Sequence, residues 1–295
     1  MVACLLTGHL SLSALEIQGH RGARGQFPEN TLPGFMAAIE GGVDTLELDL
    51  LMTADNKIVI YHDFALNPQL CTHLNGRPLR GSPMVAELKL AEIKKIDCGS
   101  KQNPLFPKQL ALKGVQIPTL KEFLHMIRTQ PLAQNVKLNL EIKINPYSTA
   151  AHPSRAFVAQ KILAEVKASG LEDRVLFSSF DLEVLKEMRK LDSQVRLGFI
   201  FNSEWLQKKW LVKPTNWLPF VIYSASEIRV ELLSIEHTLL TAERIAKLHT
   251  CGFRVIPWTI NDLKLSQELI KMGVDGIITD YPSYFVEHLR VAQSG

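Results

Sequence analysis

The sequence predicts an α/β chain closed into a (β/α)8 barrel, and three observations support that class. Strand-like and helix-like runs alternate eight times along the 295 residues, a rhythm that favours a closed parallel barrel over other architectures. No G-x-G-x-x-G follows the first strand-like run, so the open, doubly wound sheet lacks its signature. Titratable residues collect where the strand-like runs end, which is the mouth of a barrel on which chemistry is done.

The elements follow in order. Residues 15–19 read as the first strand and 31–41 as the first helix. Residues 44–50 and 57–61 are extended, with the turn Thr53-Ala54-Asp55-Asn56 between them; Asn tolerates the left-handed conformation such a turn needs. Past an excursion, 119–129 is helical, 137–142 a strand and 156–168 a helix. A strand at 174–177, a helix at 182–191 and a strand at 195–200 continue the pattern. The sixth barrel strand is placed at 231–235, with 220–223 competing for that position. The remainder reads helix 242–249, strand 253–257, helix 262–272, strand 274–278 and a final helix at 284–292. Residues 15–295 are therefore expected to form one barrel domain. The segment 64–117, rich in Pro, Gly and charge with one short helix around 85–96, is expected as an insertion after the second strand region, over one mouth of the barrel.

Composition narrows the function. With 46% hydrophobic and 21% charged residues the chain has ordinary globular balance. A net charge of +3 without a long Lys/Arg run gives little support to a nucleic-acid partner, and no apolar run reaches the ~18 residues of an integral membrane span. Oligomeric state leaves no mark on the sequence. Residues 1–14 are apolar and end in small residues, as a secretory signal does, but lack a basic start and are interrupted by His9; they read as a signal remnant or an N-terminal arm. None of the four cysteines has CxxC spacing. Cys71 and Cys98 flank the excursion, and a bridge across their separation of 27 would stabilise by roughly 3–4 kcal/mol in the chain-entropy model. Such a bridge points to the periplasm or the exterior, with the cytoplasm as the alternative.

Chemistry concentrates at five places. The first strand ends in Gly19-His20-Arg21-Gly22, where glycines let a guanidinium and backbone approach an anion; alone, this is also how an ordinary surface turn reads. In Thr45-Leu46-Glu47-Leu48-Asp49-Leu50 the alternation puts Glu47 and Asp49 on one face and the leucines on the other. Two carboxylates facing a barrel axis repel unless a cation lies between them, and a hard divalent ion, Mg²⁺ or Ca²⁺, resolves this; a half-exposed acidic strand is the plainer alternative. Glu141 and Lys143 share a face at the end of the third barrel strand, as a further metal ligand and a phosphate-binding charge or as a simple ion pair. His62, in Tyr61-His62-Asp63, gives a second imidazole for an acid/base pair with His20. Late in the chain, Trp258 is a candidate pocket wall, Asn261 a candidate helix cap, and Asp280 reads as structural more than catalytic.

Taken together, His20-Arg21-Gly22, Pro28-Glu29-Asn30-Thr31, Glu47-Leu48-Asp49, His62-Asp63, Glu141-Ile142-Lys143, Trp258-Thr259-Ile260-Asn261 and the run Gly276 to Asp280 resemble the glycerophosphodiester phosphodiesterase family in order and spacing, from residue 17 to about 288. The resemblance implies Glu47, Asp49 and Glu141 as ligands of one Mg²⁺ or Ca²⁺, His20 and His62 as general acid and base, and Arg21 and Lys143 on the phosphate, with Trp258 against the substrate. It implies a small glycerophosphodiester substrate whose 2-hydroxyl attacks phosphorus, with the cyclic phosphate then opened to glycerol 3-phosphate. The family usually has Asp-Gly in the turn after the acidic strand, where this chain has Asp55-Asn56. The Cys71/Cys98 insertion resembles secreted bacterial members. Two alternatives stand beside this reading. A lysophospholipase D or sphingomyelinase D-like enzyme would need an apolar groove, and the insertion has few clustered aromatics. A catalytically silent binding barrel would have lost a histidine or carboxylate, yet every position is filled.

Overall fold

The computed structural model describes residues 15–145, 153–210 and 216–290; the expected N-terminal arm at 1–14 and the last two residues of the expected final helix lie outside them. Eleven strands are described: β1 (Glu16–Gly19), β2 (Thr45–Met52), β3 (Ile58–Ile60), β4 (Thr72–His73), β5 (Ile96–Asp97), β6 (Lys137–Ile142), β7 (Val175–Ser179), β8 (Arg196–Phe201), β9 (Leu232–Glu236), β10 (Arg254–Trp258) and β11 (Gly276–Thr279). Eight of them form a parallel sheet in the order β10-β9-β8-β7-β6-β2-β1-β11, which curls into the barrel the alternation predicts. Among the described residues no strand ladder joins β10 to β11. That seam is held instead by Asp275 N–H to the Val255 carbonyl (2.9 Å) and Ile260 N–H to the Ile278 carbonyl (2.8 Å).

Helices fill the outside: α1 (Leu32–Glu40), α2 (Leu90–Ile93), α3 (Leu120–Thr129), α4 (Arg155–Ser169), α5 (Leu182–Leu191), α6 (Ser203–Trp210), α7 (Leu218–Ile228), α8 (Ala242–Thr250), α9 (Leu263–Lys271) and α10 (Pro282–Arg290). Their starts are written locally. Thr31, Thr119, Ser154, Asp181, Thr241 and Asp262 each accept a backbone N–H of the first helical turn, and Glu122 completes a capping box with Thr119. On β2, Leu46, Leu48 and Leu50 pack into the large core between sheet and helices, while Glu47 and Asp49 occupy the opposite, inner face.

Three expectations change. Residues 220–223 lie within α7, whose Val221, Ile222 and Ala225 are buried, and the strand is β9. The helix expected at 85–96 breaks into a 3-10 turn (Val85–Glu87) and the single turn α2, because the Leu88 and Lys89 backbones are extended. Asn261 does not cap α9; Asp262 does.

Residues between β3 and α3 form a small unit with its own core, including Leu66, Leu79, Val85, Ile93 and Ile96. The short β4–β5 pair and the Cys71–Cys98 disulfide tie it together. It reaches the loops at the C-terminal end of the barrel through Gln109 Nε2 to the Arg24 carbonyl (2.6 Å) and Leu110 N–H to the Gln26 carbonyl (2.8 Å).

Candidate active site

The β1–α1 loop sets the first side of the site. Arg21 and Gly22 both take positive φ (52° and 85°), and a Cβ at Gly22 would meet the Gly34 backbone at 2.8 Å. For an arginine this conformation is strained, by ~1–3 kcal/mol. Its backbone N–H donates to Glu47 Oε2 at 2.9 Å, and its guanidinium reaches Glu29 Oε1 (2.8 Å) and Asp49 Oδ2 (3.3 Å). Asn30, also at positive φ, donates from Nδ2 to Asp49 Oδ2 at 2.8 Å. The Pro28-Glu29-Asn30-Thr31 motif thus orders the loop. Glu29 clamps Arg21 and Arg24, Asn30 orients Asp49, and Thr31 caps α1.

Glu47, Asp49 and Glu141 converge: one carboxylate oxygen from each lies within 4.8 Å of the others. Asp49 and Glu141 come from neighbouring strands, where they are directly paired in register. Lys143 Nζ stands 3.3 Å from both Asp49 Oδ1 and Glu141 Oε1. Burial, then Asp49 and Glu141, pushes the Glu47 carboxyl well above the usual range. Glu141 is also raised, by burial first, with Lys143 opposing. Burial would raise Asp49 too, but Lys143 and Arg21 overcome it and hold that carboxyl low. Three hard oxygen donors, two of them resisting ionisation in one another's field, match the donor set of a divalent cation with carboxylate ligands.

The two histidines flank this cluster. His20 Nδ1 is 2.7 Å from Asp280 Oδ1, and His62 Nδ1 is 2.6 Å from Asp63 Oδ1, which leaves Nε2 on each ring as the atom for substrate. Burial first, then the Arg21 charge, lowers the His20 pKa and keeps the ring neutral; Asp280 opposes. Asp280 is itself gripped by Asn261 through Nδ2 to Oδ2 (2.7 Å) and through the Asp280 N–H to Oδ1 (2.9 Å). Asp280, read from the sequence as structural, therefore fixes a site imidazole, and Asn261 fixes Asp280.

A cavity of about 240 Å³ is lined by His20, Arg21, Glu47, His62, Glu141 and Trp258. Lys143 and Asp49 adjoin it through Glu141. Asn139, two residues before Glu141 on the same inner face, also lines it; strand alternation alone could have found it. Phe180, Asn202 and Ser234 complete the wall and come from loops and strands whose sequence carries no distinctive signal. Ser234 Oγ and Trp258 Nε1 are buried without a hydrogen-bond partner among the described residues, so the wall offers polar contacts to a ligand. A second cavity, of about 480 Å³, shares Glu141 and Phe180 with the first and adds Phe64, Ile142, Ile144 and Trp205.

The chain matches the family model described as the glycerophosphoryl diester phosphodiesterase family over residues 20–284. A glycerophosphodiester phosphodiesterase of Caldanaerobacter subterraneus subsp. tengcongensis is 28% identical, over 92% of this chain and 96% of its own. A crystal structure from Silicibacter pomeroyi DSS-3 that carries the glycerophosphoryl diester phosphodiesterase designation superposes with a TM-score of 0.85 at 31% identity, covering 97% of this chain and 96% of that one. An Oleispira antarctica phosphodiesterase, solved in complex with the product sn-glycerol-3-phosphate, has a TM-score of 0.71 at 23% identity, covering 95% and 97%.

Proposed function

This chain belongs to the glycerophosphoryl diester phosphodiesterase family and is a phosphoric diester hydrolase, and from that premise we propose a metal-assisted, two-histidine route to glycerol 3-phosphate. The convergence of Glu47, Asp49 and Glu141 beside two imidazoles carries the reading. Those three carboxylates would hold one Mg²⁺ or Ca²⁺, which when bound supplies Lewis-acid charge for the phosphoryl oxygens. Arg21 and Lys143 lie against the same carboxylates and orient the diester, neutralising charge as it builds on the non-bridging oxygens. His20, held neutral, takes the proton of the glycerol 2-hydroxyl at Nε2 as that oxygen attacks phosphorus. His62 gives a proton to the departing alcohol. In the second step the roles reverse: a water loses its proton to one imidazole and opens the cyclic phosphate, whose 2-oxygen is reprotonated. Trp258 walls the glycerol side. The product seen with the Oleispira antarctica relative supports the same end point here.

The cavity shared with Phe64, Phe180 and Trp205 favours a second reading, in which the leaving side carries an acyl chain and the enzyme acts as a lysophospholipase D. These aromatics come from separate segments, so the sequence does not display the groove. The Cys71–Cys98 bridge supports placing the enzyme in an oxidising compartment, the periplasm or the exterior.

The test uses chelator-treated protein with glycerophosphocholine and lysophosphatidylcholine, adding back Mg²⁺, Ca²⁺ or neither. The expected outcome is metal-restored release of glycerol 3-phosphate from glycerophosphocholine. Release of choline from lysophosphatidylcholine alone would favour the second reading. Full turnover without either ion would remove the metal from the mechanism.

A further inference from the structure

Charge is unevenly spread over this chain. Residues 64–117 carry eight Lys/Arg against three Asp/Glu, whereas the rest of the chain carries 25 against 27. Within that insertion, residues 98–117 hold three lysines and no acidic residue. The same stretch exposes two leucines, Leu105 at 76% and Leu110 at 52%; Leu105 is the most exposed large hydrophobic side chain among the described residues. Lys108 and Lys113 are exposed and form no ion pair among the described residues.

This edge is firmly mounted. Phe106, between the leucines, is buried edge-on against Tyr281 (centroids 6.3 Å apart) with the Arg24 guanidinium 4.9 Å from its ring centroid. Gln109 is buried and donates to the Arg24 carbonyl, and the Leu110 N–H is held by Gln26. Arg24 shares Glu29 with Arg21. Exposed leucines on a base of this kind, each followed three residues later by an exposed lysine without an ion pair among the described residues, present apolar groups to an acyl boundary and ammonium groups to anionic headgroups. Two copies of the chain meeting through this edge about a two-fold axis would oppose lysine to lysine, which disfavours self-association there.

We propose that the 98–117 edge of the insertion docks onto an anionic lipid surface and seats the catalytic mouth against it. The inference is independent of which diester is cleaved, because docking is read without turnover.

The experiment is co-sedimentation of the full chain with vesicles of phosphatidylglycerol and phosphatidylcholine, against vesicles of phosphatidylcholine alone. Binding to the anionic vesicles is expected, weakening at least tenfold between 0.1 and 0.5 M salt as the charges are screened. A Lys108→Glu/Lys113→Glu variant should bind at least tenfold more weakly, and a Leu105→Ser/Leu110→Ser variant about tenfold more weakly. Both should melt like the parent and turn over glycerophosphocholine at the parent rate. Absence of vesicle binding, equal binding to both vesicle types, or variants that bind like the parent would overturn the proposal. Lipid-free dimerisation abolished by the leucine variant would overturn it in favour of a chain–chain interface.

Discussion

Two carboxylate groups lie buried inside this barrel, one at its floor and one at its mouth, and they have opposite electrostatics. At the floor, Glu16 is satisfied on both oxygens. Oε1 accepts from Thr45 Oγ1 (2.6 Å) and Gln18 Nε2 (2.8 Å), and Oε2 pairs with Arg254 (2.8 Å). Burial opposes its ionisation, yet Arg254 and Thr45 win and its pKa falls. At the mouth, Glu47 has one backbone donor from Arg21 and two carboxylate neighbours, and its pKa rises. The floor is complete in itself and serves the fold. The mouth holds more negative charge than Arg21 and Lys143 neutralise, and that surplus is what the proposed cation would balance.

The contrast can be broken most directly at Glu47. Glu47→Gln removes one of the proposed ligands and its repulsion together, so turnover of glycerophosphocholine should fall at least a thousandfold (~4 kcal/mol of barrel-mouth catalysis). The chelated protein should meanwhile melt no lower than the parent, and a divalent ion that raises the parent melting temperature should leave the variant unmoved. Glu16→Ala should do the reverse. Losing the acceptor strands Arg254, Thr45 and Gln18, costing about 2–3 kcal/mol by denaturant unfolding, with kcat within severalfold of the parent. Because the Glu16 pKa is depressed, its contribution is present above about pH 4.5 and is lost as pH falls through its folded value. The smallest effect belongs to Asp280→Asn, which keeps the shape but frees the His20 tautomer: kcat should fall about tenfold to a hundredfold, with KM little changed and the acidic limb of the pH–rate profile displaced to lower pH, because Asp280 raises the His20 pKa. An unchanged profile would reduce Asp280 to a scaffold role.

How much of this the sequence displayed depends on whether the determinant is local. The Glu47/Asp49 pair is visible because β2 alternates strictly, and α3 because Thr119 and Glu122 form a capping box in four residues. The competition between 220–223 and β9 was harder, since α7 is apolar on most of its turns and its Pro219 near the N-terminus mimics a strand boundary. The break of 85–96 rests on extended backbone at Leu88 and Lys89, which pattern does not encode. The convergence of Phe64, Phe180 and Trp205 belongs to tertiary structure, because no spacing relates side chains from two loops and a helix. Asn30 and Asn261 sat inside recognisable motifs, yet their partners, Asp49 and Asp280, are 19 residues away in each case and could be assigned only in three dimensions.

Along most of the sheet, neighbouring strands are joined by main-chain ladders, which any sequence of suitable shape can supply. Between β10 and β11 two main-chain bonds stand in for a ladder, and side chains supplement them. Asp275 accepts the Val255 N–H and the His249 ring at the floor, and Asn261 grips Thr279 and Asp280 at the mouth. The barrel's closure therefore leans on side-chain identity more than its laddered junctions do. Drift can exchange residues along the ladders while preserving the architecture. At the closure, a change at Asp275 or Asn261 removes side-chain bonds that supplement only two main-chain ones, and at Asn261 it also loosens the support of His20. A single asparagine thus makes the integrity of the scaffold and the aim of the reaction heritable together.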